Sequence, residues 1–227
     1  MRHSLLLLPL LLMAGAAQAE TWNLASPDGQ IAVTVDKADN GLPKYSVSYR
    51  GKPVIAPSEL GLRTDLAGFG AKGFDAPAVT TRTVNDTYHI VAGKAASAPD
   101  YYNEQTLTFH ETGGSRDLTL IFRAYDSGVA FRYVLPAQNA AYGLYGETTE
   151  FAFAADYDCW GLNLGKFHNA HEGEFDPVKA SLIRDHSLFD SPLVCKTGDG
   201  QAAFALAESD IDHYPATYYS RAGDNKL

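Results

Sequence analysis

From residue 117 to residue 125 the side chains alternate without a break. Leu118, Leu120, Phe122 and Ala124 fall on one side, Thr119, Ile121, Arg123 and Tyr125 on the other. A period of two is the pattern of a half-buried β-strand and is incompatible with an amphipathic helix. The cluster Asp126-Ser127-Gly128 follows, where a glycine can take a positive φ at little cost. Residues 129–135 are rich in Val, Phe and Tyr, which suit a pleated surface, and Pro136 has no N–H to offer a ladder. Residues 117–136 therefore predict a long hairpin at the centre of a β-domain. Its conspicuous charges are Arg123 and Arg132, which can snorkel or pair at the sheet surface.

The rest of the chain repeats the theme. Strands are expected near 21–25, 31–36, 44–49, 53–55 and 59–63, separated by Pro27-Asp28-Gly29, Asp39-Asn40-Gly41 and Arg50-Gly51-Lys52, a β-meander. Residues 64–78 lose periodicity and predict a loop. A hairpin is expected from 79–84 and 87–91 around Asn85-Asp86, then a small-residue loop over 92–100, then a strand at 101–110 with a turn at Gly113-Gly114. Asn85-Asp-Thr87 also matches the N-glycosylation acceptor pattern. Further strands are expected over 147–154 and 214–220, with a hairpin from 191–196 and 201–208. No 3.6-residue period persists for a helix, so the expected architecture is an all-β sandwich.

Arg2 and His3, the apolar run 5–13 and the small-residue site Ala17-Gln18-Ala19 predict a secretory signal peptide over residues 1–19. The apolar run is short of the ~20 residues needed to span a bilayer. The expected product is an exported domain over 20–220, periplasmic or extracellular, with 221–227 of linker composition. The balance of 27 Asp+Glu against 18 Lys+Arg argues against nucleic acid and anionic membranes as partners. Export permits a disulfide between Cys159 and Cys195, but a domain this large does not need one. Two separately buried thiols are the slightly favoured reading, with the pairing left open. No Cys-x-x-Cys occurs.

Residues 155–180 are expected to be irregular and hold most of the chain's suggestive polar chemistry. His168-Asn-Ala-His171-Glu-Gly-Glu174, with Asp156, Asp158 and Asp176 nearby, is the densest gathering of ligand types. It lacks the His-Glu-x-x-His spacing of a metalloprotease helix, and a solvated loop is the competing reading. Glu147, Glu150, Asp156 and Glu172 can be drawn as paired carboxylates for glycoside hydrolysis, but sequence proximity does not set their separation. Glu208 differs, because it ends the apolar run 202–207. A carboxylate leaving a strand at the exit of a sandwich can meet a hard cation or another domain, or simply be a surface charge.

Several stretches together resemble the N-terminal domain of glycoside hydrolase family 97, exported α-glucosidases and α-galactosidases. They are Ser26-Pro-Asp-Gly29, Tyr49-Arg-Gly-Lys-Pro-Val54, Leu60-Gly-Leu62, Asp100-Tyr-Tyr-Asn-Glu104, Phe122-Arg-Ala-Tyr-Asp-Ser-Gly-Val-Ala-Phe-Arg-Tyr133, Thr149-Glu-Phe151 and Leu206-Ala-Glu208. The twelve-residue match over 122–133 is the most specific. The resemblance implies a large antiparallel β-supersandwich of the galactose mutarotase type, packed against a (β/α)8 catalytic barrel. A barrel takes ~250 residues, so no catalytic residue is carried over. It also implies that a glutamate of this domain helps hold Ca²⁺ at the barrel's active site, matched here by Glu208. Ala207 stands before it where the family often has His. One glutamate cannot hold calcium alone, so weak or no binding is expected of this domain by itself.

Three roles follow as expectations. The first is a non-catalytic module of an α-glycosidase acting on α-linked oligosaccharide. The second is a free-standing carbohydrate-binding protein using Trp160, Tyr218 and Tyr219. The third is a mutarotase-like epimerase using His168, His171 or His186 with a glutamate.

Overall fold

The computed structural model describes residues 20–135, 141–200, 202–211 and 214–227. The signal-peptide reading (1–19) and Pro136 lie outside these residues. Fifteen strands and one 3-10 turn (Ala180–Leu182) make up the described regular structure. The first sheet contains β1 (Trp22–Ala25), β2 (Ile31–Lys37), β3 (Pro43–Tyr49), β4 (Lys52–Glu59) and β11 (Ala152–Phe153), in that order. The second contains β6 (Ala78–His89), β7 (Ser97–His110), β8 (Asp117–Tyr125) and β9 (Gly128–Val134). A third has the order β13 (Asp176–Lys179), β12 (Asp158–Gly161), β14 (Leu193–Lys196), β15 (Ala203–Leu206). A short pair joins β5 (Leu62–Thr64) to β10 (Leu144–Glu147). Every pairing between these strands is antiparallel. The fold is a large all-β supersandwich.

The alternation in β8 sets the core. Leu118, Leu120, Phe122 and Ala124 are buried and meet Leu107 and Phe109 of β7 and Val33, Val35 and Tyr45 of the first sheet. The opposite face of the second sheet is polar but knitted together. Glu104 is buried there and accepts from Arg82 Nε at 2.5 Å and from Arg123 Nε at 2.8 Å. The Arg123 guanidinium also lies 4.5 Å over the Tyr102 ring. The expected pairing of an arginine at the sheet surface is thus realised by Arg123. The hairpin closes with Tyr125 opposite Gly128, so Asp126 and Ser127 form the turn. Positive φ is not needed at Gly128.

It is needed where Gly41 and Gly73 meet back to back, at φ 79° and 75°. A Cβ on Gly73 would stand 2.7 Å from the Gly41 Cα.

Several sequence expectations are corrected. Asn85 and Asp86 do not turn the chain: β6 runs straight through them, and the reversal comes after Ile90, whose N–H bonds Ala96 O. The pairing of β7 with β8 stops at Tyr102, so residues 85–89 and 97–101 continue as a two-stranded ribbon. With both faces largely in solvent, Asn, Asp and even Pro99 cost such a ribbon little. The strand expected over 147–154 is split between β10 and β11, and 214–220 contributes only a bridge, Tyr219 to Phe189.

Cys159 and Cys195 are not separate thiols. They are direct partners across β12 and β14 and form a disulfide. Residues 221–227 have linker composition but pack on the sandwich: Phe151 and Leu227 exchange backbone hydrogen bonds, and Leu227 is buried.

Candidate functional site

The hairpin of β14 and β15 delivers Glu208. Phe204 packs against the core and Leu206 is buried. Two residues further on, Glu208 shares their strand parity at the rim of the core. Its carboxylate is half-buried, and among the described residues Thr217 holds both of its oxygens. Thr217 donates its backbone N–H to Oε2 and its hydroxyl to Oε1, each at 2.7 Å. The segment carrying Thr217 is itself fixed by the Tyr219–Phe189 bridge.

A second carboxylate, Glu147, acts with Glu208 on the same phenol, Tyr214. Glu147 Oε1 accepts from the Tyr214 hydroxyl at 2.7 Å, and Oε2 accepts from the Thr149 hydroxyl. The Thr149 oxygen is 2.7 Å from the Tyr133 hydroxyl, which accepts the Gly61 N–H at 3.0 Å. Because Thr149 gives its proton to Glu147, Tyr133 must be the donor to Thr149. The chain of donors therefore runs in one direction, Gly61 to Tyr133 to Thr149 to Glu147. Burial pushes the Tyr214 phenol above its ordinary pKa, and the bond to Glu147 and the charges of Glu147 and Glu208 add to that. Burial likewise holds up the Tyr133 phenol. Both phenols stay neutral donors, and the two carboxylates face neutral partners.

The other candidates separate. Glu150 takes the Glu59 N–H and Lys226, and Asp156 takes the Ser181 N–H and hydroxyl, both structural roles. Asp158 pairs with Lys179. His171 pairs with Asp190 at 2.6 Å and His186 with Asp185 at 3.1 Å. Among the described residues no three His, Cys, Asp or Glu side chains come together to hold a metal ion. Of the aromatics, Tyr219 is core, buried edge-on to Phe151. Trp160 lies under the Lys196 ammonium. Tyr218 is half-buried between Phe167 and His171.

Sequence reasoning isolated Glu208 but not Thr217 or Tyr214. Nothing local distinguishes them, since each acquires its partner only through folding. Glu147 was visible only as one of four interchangeable carboxylates.

The Glycosyl-hydrolase 97 N-terminal family model matches residues 24–227. A retaining α-galactosidase of Bacteroides thetaiotaomicron is 25% identical over 98% of this chain and 34% of its own length. A probable retaining α-galactosidase of Streptomyces bingchenggensis is 32% identical over 86% of this chain and 30% of its own. The chain thus spans about a third of the length of the relatives it matches. Among solved structures, a glycoside hydrolase family 97 enzyme from a Pseudoalteromonas species in complex with panose superposes with a TM-score of 0.80 at 25% identity, covering 90% of this chain and 31% of that one. A β-arabinopyranosidase superposes with a TM-score of 0.72 at 25% identity, covering 84% of this chain and 32% of that one.

Proposed function

This chain belongs to the glycosyl-hydrolase 97 N-terminal family, and from that premise we propose that it is the non-catalytic β-supersandwich module of an exported α-glycosidase. It buttresses a (β/α)8 catalytic barrel, closes one side of a site for α-linked oligosaccharide, and presents Glu208 to a calcium ion at that site. The observation that carries this reading is the grip of Thr217 on Glu208. A half-buried carboxylate held by one donor on each oxygen retains the acceptor capacity to take a further ligand. Export rests on the signal-peptide pattern of the first nineteen residues.

The described residues of this chain do not make a calcium site by themselves. Calcium takes six to eight oxygens, and no cluster of three ligand side chains exists among the described residues. Glu208 fits only as one ligand of a site completed by another domain. When bound, a calcium ion there would supply positive charge beside the sugar; the part played by this chain is to hold Glu208 in place.

The test is calorimetric titration of calcium into the mature chain, alone and with the catalytic part of a family α-galactosidase supplied in trans. Calcium binding is expected only in the second case, and Glu208→Gln should raise the calcium concentration needed for activity. Calcium dependence unchanged by Glu208→Gln would remove Glu208 from the site.

A further inference from the structure

Four side chains around the Tyr219–Phe189 bridge have no part in that reading. Phe189 and Tyr219 form an antiparallel bridge with reciprocal backbone hydrogen bonds of 2.9 Å. In that register Asp190 lies opposite Tyr218. Asp190 Oδ2 holds His171 Nδ1 at 2.6 Å. His171 sits at φ 57°, an uncommon conformation for a residue other than glycine, with its N–H donating to Asn169 Oδ1 at 2.9 Å. The Tyr218 ring is 6.3 Å from the imidazole and 5.5 Å from Phe167, edge to face. Phe167 is 72% exposed, an apolar ring that the core does not use.

With Nδ1 committed to Asp190, Nε2 is the imidazole atom left for a ligand. An exposed ring, a second ring at right angles and a fixed imidazole form an apolar step with one polar edge. That combination suits a pyranose, which has an apolar C–H face and a rim of hydroxyls. The position also fits, because Tyr218 directly follows Thr217, the residue holding Glu208.

We propose that Phe167, Tyr218 and His171 form a sugar platform for an outer ring of an α-linked oligosaccharide. Phe167 and Tyr218 take the C–H face, and His171 Nε2, positioned by Asp190, bonds a hydroxyl. This rests on the reading of the chain as part of an α-glycosidase and puts a substrate contact on the chain's own surface.

The experiment is an NMR titration of the mature chain with panose to on the order of 50 mM, a range that detects millimolar affinity. The ring signals of Phe167 and Tyr218 and the imidazole signal of His171 are expected to shift along one saturating curve. Phe167→Ala should weaken that curve by about three- to ten-fold, the worth of one aromatic contact, and His171→Ala should weaken it as well. Phe167 is exposed enough that its removal leaves the fold intact, checked by an unchanged Tm.

Absence of the shifts, or equal affinity in Phe167→Ala, overturns the platform. So does a shift that follows protein concentration without sugar, which would mark contact between copies. Glu208→Gln separates the two readings. Panose shifts unchanged by it, together with unchanged calcium dependence of the joined enzyme, would remove the calcium role and leave the platform. Lost calcium dependence without any panose shift would do the reverse.

Discussion

Thr217 holds both oxygens of the Glu208 carboxylate, through its backbone N–H and its hydroxyl, at 2.7 Å each. One residue thus removes two torsional freedoms from the glutamate before any ligand arrives, which lowers the entropic cost of using it.

Thr217→Val keeps the N–H and the shape but deletes the hydroxyl. In the half-buried setting this should cost stability about 1 kcal/mol. With the catalytic part present it should weaken calcium by a few-fold, about the factor that such a bond represents. Glu208→Gln should leave the mature chain folded. A large fall in its urea midpoint would show that Glu208 is a structural residue.

The Cys159–Cys195 bond closes a loop of 36 residues between directly paired strands. The loop-entropy relation puts its worth at ~3–4 kcal/mol. The double variant Cys159→Ala/Cys195→Ala should unfold at a lower denaturant concentration than the oxidised chain. Reduction of the natural chain should reproduce most of the shift. Coincident midpoints with and without reductant would contradict this.

Glu104 is held well ionised. The hydrogen bond from Arg82 is the largest influence lowering its pKa from the ordinary 4.5, and Arg123 adds to it. Glu111 is lowered similarly by Arg116. A folded pKa below the unfolded value stabilises the fold above about pH 4.5, and that contribution is lost as pH falls through the folded value. Acid unfolding followed by circular dichroism should therefore be less steep in Glu104→Gln and in Glu111→Gln. At neutral pH, Glu104→Gln should cost about 1–3 kcal/mol, because Arg123 loses its counter-charge while Arg82 remains solvated.

Gly73→Ala should be among the most damaging single-methyl additions. Its φ of 75° alone costs an L-residue about 1–2 kcal/mol, and the added carbon would also meet the Gly41 Cα and the Asn40 carbonyl. A Tm equal to that of the natural chain would mean that this contact can relax.

What the sequence determined by itself is the local part. The period of two from 117 to 125 gave the central strand and the face it buries, and short glycine-bearing turns gave an antiparallel all-β fold. The twelve-residue run at 122–133, with the other matched stretches, pointed to the family. These are readable because strand periodicity and turn chemistry act over a few neighbouring residues.

Tertiary structure decided the rest. Asn85-Asp86 looks like a turn but lies within a strand, since its cost depends on whether β8, which begins only at Asp117, covers the neighbouring edge of β7. The cysteines pair because β12 and β14 bring them opposite, which no composition argument could settle. Glu208 was visible as a carboxylate at a strand end, but its partner Thr217 was not. Thr217 faces it only because the Tyr219–Phe189 bridge pins the segment in register. A polar side chain carries no local mark of its partner; long-range register assigns one.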